Sequence, residues 1–332
     1  MADGEDPPPP SAFDVRHAVR ADLNQIFAEN LFGANDSPPL GHLRWIDVLP
    51  PVGVQHKITR ACKGFAGGRG RLACFARPRS FFEKLTAAKY FAPLPMPVVA
   101  DKLNCGAFIP RDLRDDVKPI EVIAQTDQPI TEEVLARFAL KPGRYYVKAN
   151  AGSGTNIPIQ VPMDPAVATH VEERTQAWLQ AEHGARNGEW WYGQIRKQNF
   201  IEPDCSKEGE SLTDWKFHVA GARVIAVQVD LDRATAHRQI VLDRYFVPQE
   251  GPFFFETGPP PEKPKQYGRM VDIAEAIGAT FSYARVDLYL VQDQIYLGEI
   301  TLAPMGGVRL PRSEALDMWM GQTWREGLFG TD

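Results

Sequence analysis

The sequence has only four cysteines, and none of them stands in a Cys-x-x-Cys spacing. They are Cys62, Cys74, Cys105 and Cys205, which lie far apart, so neither a zinc knuckle nor a disulfide framework is indicated. Reduced thiols of this kind are typical of the cytoplasm, where we expect the protein to be. The first residues, MADGEDPPPPS, are acidic and rich in proline, unlike the basic and apolar start of a secretory signal.

Long hydrophobic runs and an excess of positive charge are also missing. No uninterrupted apolar stretch approaches the ~20 residues of a membrane-spanning helix, so no integral membrane segment is expected. The 332 residues include 37 Lys and Arg against 42 Asp and Glu, a net charge of -5. This balance gives no general reason to expect nucleic-acid binding. The 44% of hydrophobic residues is enough for a globular protein of two or three packed units.

Two common catalytic signatures are absent. The order Gly-x-x-x-x-Gly-Lys-[Ser/Thr] of a P-loop does not occur, and no Ser-His-Asp or Cys-His signature is recognisable. A reaction through a side-chain nucleophile is therefore not indicated, and positioning and charge stabilisation are the alternative.

A glycine-rich loop, VKANAGSGTNI, follows a predicted strand from Arg144 to Ala149. Small residues let backbone N–H groups approach an anion closely, and hydroxyl groups add further donors. Most glycine-serine loops are nevertheless plain turns. The loop is thus a candidate phosphate cover, in which the residues of interest are Lys148, Gly152, Ser153, Gly154 and Thr155.

The segment RVDLYLVQDQIYLGEIT, residues 285–301, alternates like a β-hairpin yet contains acids at positions that should pack. With a three-residue loop at 292–294, Asp287 stands opposite Glu299 on one face, and Arg285 stands opposite Thr301. A two-residue loop would move one acid to the other face. Like charges that face each other are destabilising unless a cation lies between them. The hairpin therefore predicts a divalent cation held by the two carboxylates.

Other segments predict an α+β or α/β protein. Residues 57–79 contain seven Lys or Arg and no acid. They are predicted to be a basic surface strand and loop, with an anion-binding face as the alternative and RNA binding disfavoured. Helices are predicted after the caps Thr131 and Asp164, the second burying Val167, Val171, Trp178 and Ala181. A further helix, YGRMVDIAEAIGAT, is predicted to bury Met270, Ile273, Ala274 and Ile277.

In their order along the chain, these motifs resemble the ATP-grasp superfamily and, more narrowly, the TupA-like ATP-grasp family of bacterial polysaccharide gene clusters. The matching segments, over about residues 80–308, are FFEKL, ADKL, VKANAGSGTNI, GEWWYGQIRKQNFIEPD, TDWKFHVAGARVIAVQVDLDR, HRQIVLDRYF, FSYARVDLYL and YLGEITLAPMGG. The resemblance implies an α+β ATP-grasp fold in which two α/β subdomains clasp ATP between antiparallel sheets. The expected parts are a disordered tail at 1–12, an N-terminal basic region at 13–100 and two subdomains at 101–200 and 201–332.

The resemblance also implies roles for single residues. Lys102 and Lys148 would neutralise the phosphates of ATP under the loop of residues 152–155, while Ile201 and Glu202 would hold adenine and ribose. The magnesium ligands would be Asp287 and Glu299, with Mn²⁺ as another possible ion. The residues implied in catalysis are Arg285, Lys216 and Arg233. An acceptor could bind at the polar segment that contains Asp230, Asp232, Arg233, His237 and Arg238.

The activity that the resemblance implies is that of an ATP-dependent carboxylate–amine ligase acting through an acyl phosphate. Its partners would be a uronic acid or other glycan carboxylate and an amine donor, without nucleic acid. One departure from the family pattern is Gly106, which stands where an arginine is usual and leaves the acceptor open. The alternatives are a sugar kinase on the same fold and a non-catalytic binding protein. Glycosyl transfer is a less favoured hypothesis than either of these.

Overall fold

The computed structural model describes residues 8–96, 98–206, 212–231, 236–325 and 327–329. The helices are α1 (Ala12–Ala28), α2 (Trp45–Val48), α3 (Pro51–Arg69), α4 (Phe81–Phe91), α5 (Glu132–Phe138), α6 (Pro165–Gln180), α7 (Tyr267–Gly278) and α8 (Glu314–Thr323). The strands are β1 (His42–Leu43), β2 (Leu94–Pro95), β3 (Val117–Pro119), β4 (Ala124–Thr126), β5 (Gly143–Ala149), β6 (Asn156–Val161), β7 (Asn199–Pro203), β8 (Asp214–Ala220), β9 (Arg223–Leu231), β10 (Arg238–Leu242), β11 (Glu256–Thr257), β12 (Tyr283–Val291) and β13 (Gln294–Thr301). Within these described ranges, no helix is both long enough and apolar enough to cross a bilayer.

The described residues form two compact units, and the chain passes from one to the other at residues 96–97, 213–214, 286–287 and 300–301. The first unit consists of the described parts of Met1–Met96, Asp214–Val286 and Thr301–Asp332. The second unit consists of the described parts of Pro97–Thr213 and Asp287–Ile300. The unit boundary therefore falls between Val286 and Asp287 on β12.

The first unit combines a helical N-terminal part with strands in the order β11-β10-β9-β8-β12. Strands β8, β9 and β10 run antiparallel, and nearly all their side chains are buried. Ser80 begins α4 with a capping box, in which its side chain and that of Glu83 each bind a backbone N–H of the other residue. This helix packs Phe81 and Leu85 into a core shared with α8 and the strands. The predicted helix α7 is confirmed, and Met270, Ile273, Ala274 and Ile277 are buried.

The second unit is built on an antiparallel sheet of order β4-β7-β5-β6. The predicted caps are confirmed, because Thr131 binds the backbone N–H of Val134 and Asp164 binds that of Ala166. The inward face predicted for α6 is correct at Val171 and Trp178 but wrong at Val167, which is 37% exposed. The buried stripe consists of Ala168, Val171, Thr175 and Trp178, so Ala168 takes the inward position one turn before Val171. Strands β12 (from Asp287), β13 and β3 complete this unit, and β3 runs parallel to β13.

The basic segment 57–79 is largely helical, so the predicted strand was wrong. Helix α3 begins with Pro51 and ends at Gly70, which has a left-handed φ of 66°. Its buried positions recur every three or four residues, at Val54, Ile58, Ala61, Cys62 and Phe65. Burial of this stripe outweighs the low helix propensity of the glycines at 64, 67 and 68.

Candidate functional site

A cavity of about 330 Å³ lies within the second unit and collects several of the predicted nucleotide-binding residues. Two cations, Lys102 and Lys148, line it together with the carboxylate of Glu202. Phe200 and Leu297 contribute apolar walls. The volume lies at the lower end of the range of about 300–1,000 Å³ that is common for small-molecule sites. The cavity can therefore hold part of a nucleotide-sized ligand with both charged and apolar groups.

Lys102 is held beside the glycine-rich loop by main-chain and side-chain hydrogen bonds. Its backbone N–H donates to the carbonyl of Asn150 at 3.1 Å. The amide of Asn150, which is fully buried, donates to Asp101 Oδ1 at 3.0 Å. Burial raises the pKa of Asp101, while hydrogen bonds from Leu103, Asn150 and Asn104 oppose the rise. Asp101 and Asn150 thus lock the segment that carries Lys102 to the end of β5.

The glycine-rich loop has the backbone conformation that its composition predicts. Gly152 and Gly154 have φ values of 87° and 70°, which side chains rarely tolerate. Lys102 Nζ donates to the carbonyl oxygen of Gly152 at 2.5 Å. Ser153 is exposed, whereas the hydroxyl of Thr155 is buried and donates to the carbonyls of Ala149 and Ala151, both at 3.4 Å. The hydroxyl available at the surface of the loop is therefore that of Ser153.

Lys148 and Glu202 form an ion pair on neighbouring strands of the sheet. Strands β5 and β7 are antiparallel, with Lys148 opposite Phe200 and Tyr146 opposite Glu202. Lys148 Nζ bonds to Glu202 Oε1, and the side chains are 22% and 8% exposed. Lys148 Nζ also lies 5.4 Å from the centre of the Tyr146 ring. The charge of Lys148 is thus balanced by Glu202, the acid that is predicted to contact a nucleotide.

Ile201 lies on the opposite side of the same strand. Its side chain is fully buried in the core with Val147 and Val171. Its carbonyl accepts a hydrogen bond from the N–H of Ile123 at 2.9 Å. The predicted contact of Ile201 with a nucleotide stays a prediction, and Glu202 is the member of the pair that reaches the cavity.

The hairpin at 285–301 has a two-residue loop, so the predicted three-residue loop was wrong. Strand β12 ends at Val291 and β13 begins at Gln294. The residues between them, Gln292 and Asp293, have φ values of 48° and 67°, as in a type I′ turn. Such a turn closes the strands one residue earlier than we expected. In a regular hairpin of this register, Glu299 would leave the face of Asp287.

The spacing of buried residues along β13 changes after Leu297. Ile295 and Leu297 are buried two residues apart, but the next fully buried residue is Ile300, three positions later. Beyond this step, Arg285 Nη2 donates to Thr301 Oγ1 at 3.0 Å, which requires these side chains to share a face. A β-bulge at residues 298–299 would account for both features. That Asp287 and Glu299 share one face stays a prediction.

Glu299 is close to the cavity through Cys105, which lines it. Burial, together with the carboxylates of Glu299, Glu202 and Asp101, raises the pKa of the Cys105 thiol to about 12. Among the residues that the structure describes, no group of three or more His, Cys, Asp or Glu could hold a metal ion. Mg²⁺ often takes only one or two protein carboxylates and completes its shell with water and substrate phosphates. Two carboxylates, which Asp287 and Glu299 are predicted to supply, are enough for such a site.

The predicted catalytic residues Arg285 and Lys216 belong to the first unit. Lys216 Nζ forms ion pairs with Asp214 at 2.8 Å and Asp230 at 2.9 Å, and all three side chains are almost completely buried. Burial opposes ionisation of Asp230, but Lys216 and hydrogen bonds from Gln228 and Gln239 hold its pKa below the usual value. Arg233 and Asp232 lie outside the described residues.

Sequence reasoning missed three residues around the glycine-rich loop. Asn150 and Asp101 could have been suspected, because both stand in the motifs that carry the family resemblance. His183, which packs against Gly152, lies between the end of α6 and the matching segment that begins at Gly188, outside every motif. No sequence signal identifies this histidine.

A family model described as TupA-like ATPgrasp matches residues 128–325. Solved structures with similarity to the chain include the ATP-grasp ligase PsnB in complex with a phosphomimetic variant of its minimal precursor, Mg and ADP, at 14% identity and a TM-score of 0.35. That match covers 68% of this chain and 58% of PsnB, which is less than two thirds of the relative's length. The D-alanine–D-alanine ligase of Bacillus anthracis with ATP is 14% identical over 73% of this chain and 68% of that chain, at a TM-score of 0.37.

A RimK domain ATP-grasp protein of Sphaerobacter thermophilus is 12% identical, with 80% of this chain and 75% of that chain covered and a TM-score of 0.36. No curated protein matches the chain.

Proposed function

The chain belongs to the TupA-like ATP-grasp family, and we propose that it is an ATP-dependent ligase that joins a carboxylate to an amine through an acyl phosphate. The proposed acceptor is a uronic acid or another glycan carboxylate in polysaccharide biosynthesis. The observation that carries the proposal is the cavity in which Lys102, Lys148 and Glu202 meet beside the glycine-rich loop. We further propose a cytoplasmic location, which the four free thiols favour.

In this proposal, the second unit binds the nucleotide. Lys102 and Lys148 neutralise the phosphates, and backbone N–H groups of the loop from Gly152 to Thr155 approach them closely because two glycines expose the backbone. The carboxylate of Glu202 accepts hydrogen bonds from the ribose. On binding, Lys148 exchanges part of its ion pair with Glu202 for the phosphates, and the ribose hydroxyl groups take its place at Glu202.

Asp287 and Glu299 are proposed to hold Mg²⁺, with Mn²⁺ as the alternative ion. When bound, such an ion neutralises charge on the β- and γ-phosphates. The two carboxylates orient it from one face of the hairpin. Arg285 is proposed to stabilise the charge that develops during transfer, held in place by its hydrogen bond to Thr301.

The proposed reaction has two steps. An oxygen of the acceptor carboxylate attacks the γ-phosphorus of ATP, ADP leaves, and an acyl phosphate forms. The amine then attacks the carbonyl carbon and loses a proton, and inorganic phosphate leaves with the C–O electron pair. Lys216 and Arg233 are proposed to act on the acceptor, and the protein needs no covalent nucleophile because its work is positioning and charge stabilisation.

The test is a screen for ADP release over pairs of carboxylates and amines, followed by mass spectrometry of the products. We expect ADP, inorganic phosphate and a new amide, formed only when both substrates are present. ADP with a stable phosphate ester would instead establish a sugar kinase. Binding of MgATP without ADP release from any pair would support a non-catalytic binding protein.

A further inference from the structure

His183 lies directly against the glycine-rich loop of the second unit. A Cβ atom at Gly152 would stand 2.5 Å from His183 Nδ1 and 2.6 Å from its Cε1, so the imidazole occupies the space next to this glycine. Tyr192 supports the ring from the other side of the segment, at a centroid distance of 6.2 Å and an angle of 61°. The ring therefore limits the paths that the backbone can take at Gly152.

One nitrogen of this ring has no hydrogen-bond partner among the described residues. His183 Nε2 is buried, and no described residue forms a hydrogen bond with it. A buried nitrogen without a partner is destabilising, and native structures contain few of them. If packing were the only role of this side chain, a phenyl ring would fill the same space without that penalty.

The surroundings disfavour protonation of the imidazole, and the nearby lysines favour an anion as a neighbour. Burial lowers the pKa of His183, and the positive charges of Lys102 and Lys197 lower it further. Lys102 is also the cation that donates to the carbonyl of Gly152. The backbone at Gly152 is thus contacted by both a lysine and an imidazole.

We propose that His183 is a positioning residue of the glycine-rich loop. Its ring fixes the backbone at Gly152. When the loop closes over a nucleotide, its Nε2 forms a hydrogen bond with the charged β- or γ-phosphate. The proposal rests on the proposed ATP-dependent function. It assigns a role to a residue that lies after the end of α6 and before the matching segment that begins at Gly188.

The test compares His183→Phe, which keeps a ring of similar size, with His183→Asn, which keeps a hydrogen-bonding group near Nδ1 but not at Nε2. The exposed His170 provides the control variant His170→Phe. Calorimetry would measure the affinities of each protein for MgATP and for AMP, which lacks the β- and γ-phosphates. Thermal denaturation of the protein without nucleotide would report its stability.

We expect His183→Phe to bind MgATP about tenfold or more weakly, because a hydrogen bond to a charged group is lost. Its affinity for AMP and its melting temperature should stay unchanged or, for the latter, rise. His183→Asn should not restore MgATP binding, and His170→Phe should behave like the wild type.

Two results would overturn the proposal. Unchanged MgATP affinity in His183→Phe would show that the nitrogen has no role, and equal losses for MgATP and AMP together with a lower melting temperature would show a purely structural role. If the wild type itself binds neither nucleotide, the proposed function fails instead, and the two failures are therefore distinguishable.

Discussion

Lys148 and Glu202 form an ion pair at the cavity that is proposed to bind the nucleotide. Both side chains are more than three-quarters buried, and each is the ion-pair partner of the other. Removing one partner of a buried pair leaves the other charge uncompensated, which is destabilising by about 3–5 kcal/mol. A simple alanine variant of Lys148 would therefore change stability and binding together.

A paired set of variants separates the two effects. Lys148→Met should weaken MgATP binding by about tenfold or more, since a charge-assisted hydrogen bond contributes roughly 1.5–3 kcal/mol. It should also lower the melting temperature, because Glu202 is left buried and unpaired. In the double variant Lys148→Met/Glu202→Gln the stability should recover but the affinity should not. Calorimetry and thermal denaturation measure the two quantities, and wild-type affinity in the double variant would contradict the role of Lys148.

Glu299 should affect the rate more than the fold. Glu299→Gln is nearly isosteric, so the hairpin should persist, and MgATP should still bind through the other nucleotide contacts. Turnover under saturating MgATP should fall on the order of 10²-fold or more, because a preorganised partner of the transferring phosphoryl group is lost. A folded and fully active Glu299→Gln enzyme, checked by thermal denaturation, would show that the paired acids are structural.

The residues of the cavity differ in how well the sequence reveals them. Lys102, Lys148 and Glu202 stand in recognisable motifs, and the structure brings all three to one cavity. The ion pair between Lys148 and Glu202 depends on the register of β5 and β7, which brings together two residues that are 54 positions apart in the sequence. His183 is beyond sequence reasoning, because only the folded path of the segment after α6 carries it to Gly152.

At the scale of elements, the hairpin was predicted correctly, but its turn was not. The sequence Gln-Asp is not one of the glycine-containing pairs that signal a type I′ turn, so the two-residue loop could not be expected. A β-bulge at residues 298–299 would shift the register by one and compensate for the shorter loop. Helix α3 was not predicted, because its glycines have a low helix propensity and the burial of its apolar stripe is visible only in the fold.

Gly298 is the residue on which the local shape of β13 depends. A Cβ atom at this position would collide with the ring of Tyr289 on β12, and Gly298 also lines the cavity. Gly298→Ala should therefore destabilise the protein by about 1–3 kcal/mol, as overpacking does, and should weaken MgATP binding. The matched control is Gly193→Ala, where a Cβ would meet nothing within 4 Å. Denaturant unfolding of both variants measures the effect, and equal stability would contradict the crowding at Gly298.

At the scale of the whole molecule, the order of motifs carried more information than any one of them. The matching segments run through most of the chain, and the family model covers residues 128–325. The α+β ATP-grasp fold was predictable on that basis. The acceptor was not, because the residues proposed to contact it, such as Lys216 and Asp230, form a buried ion pair that does not identify a partner. The predicted domain bounds stay a prediction.

The central claim is that the carboxylate substrate is activated as an acyl phosphate, and oxygen transfer tests it most directly. The acceptor carboxylate would be labelled with ¹⁸O and incubated with the protein, MgATP and the amine found in the screen. The inorganic phosphate would then be analysed by mass spectrometry. If the account is correct, one ¹⁸O atom moves from the carboxylate to the phosphate for each amide formed. Amide formation that leaves the phosphate unlabelled, or phosphate that remains on the acceptor as an ester, would contradict it.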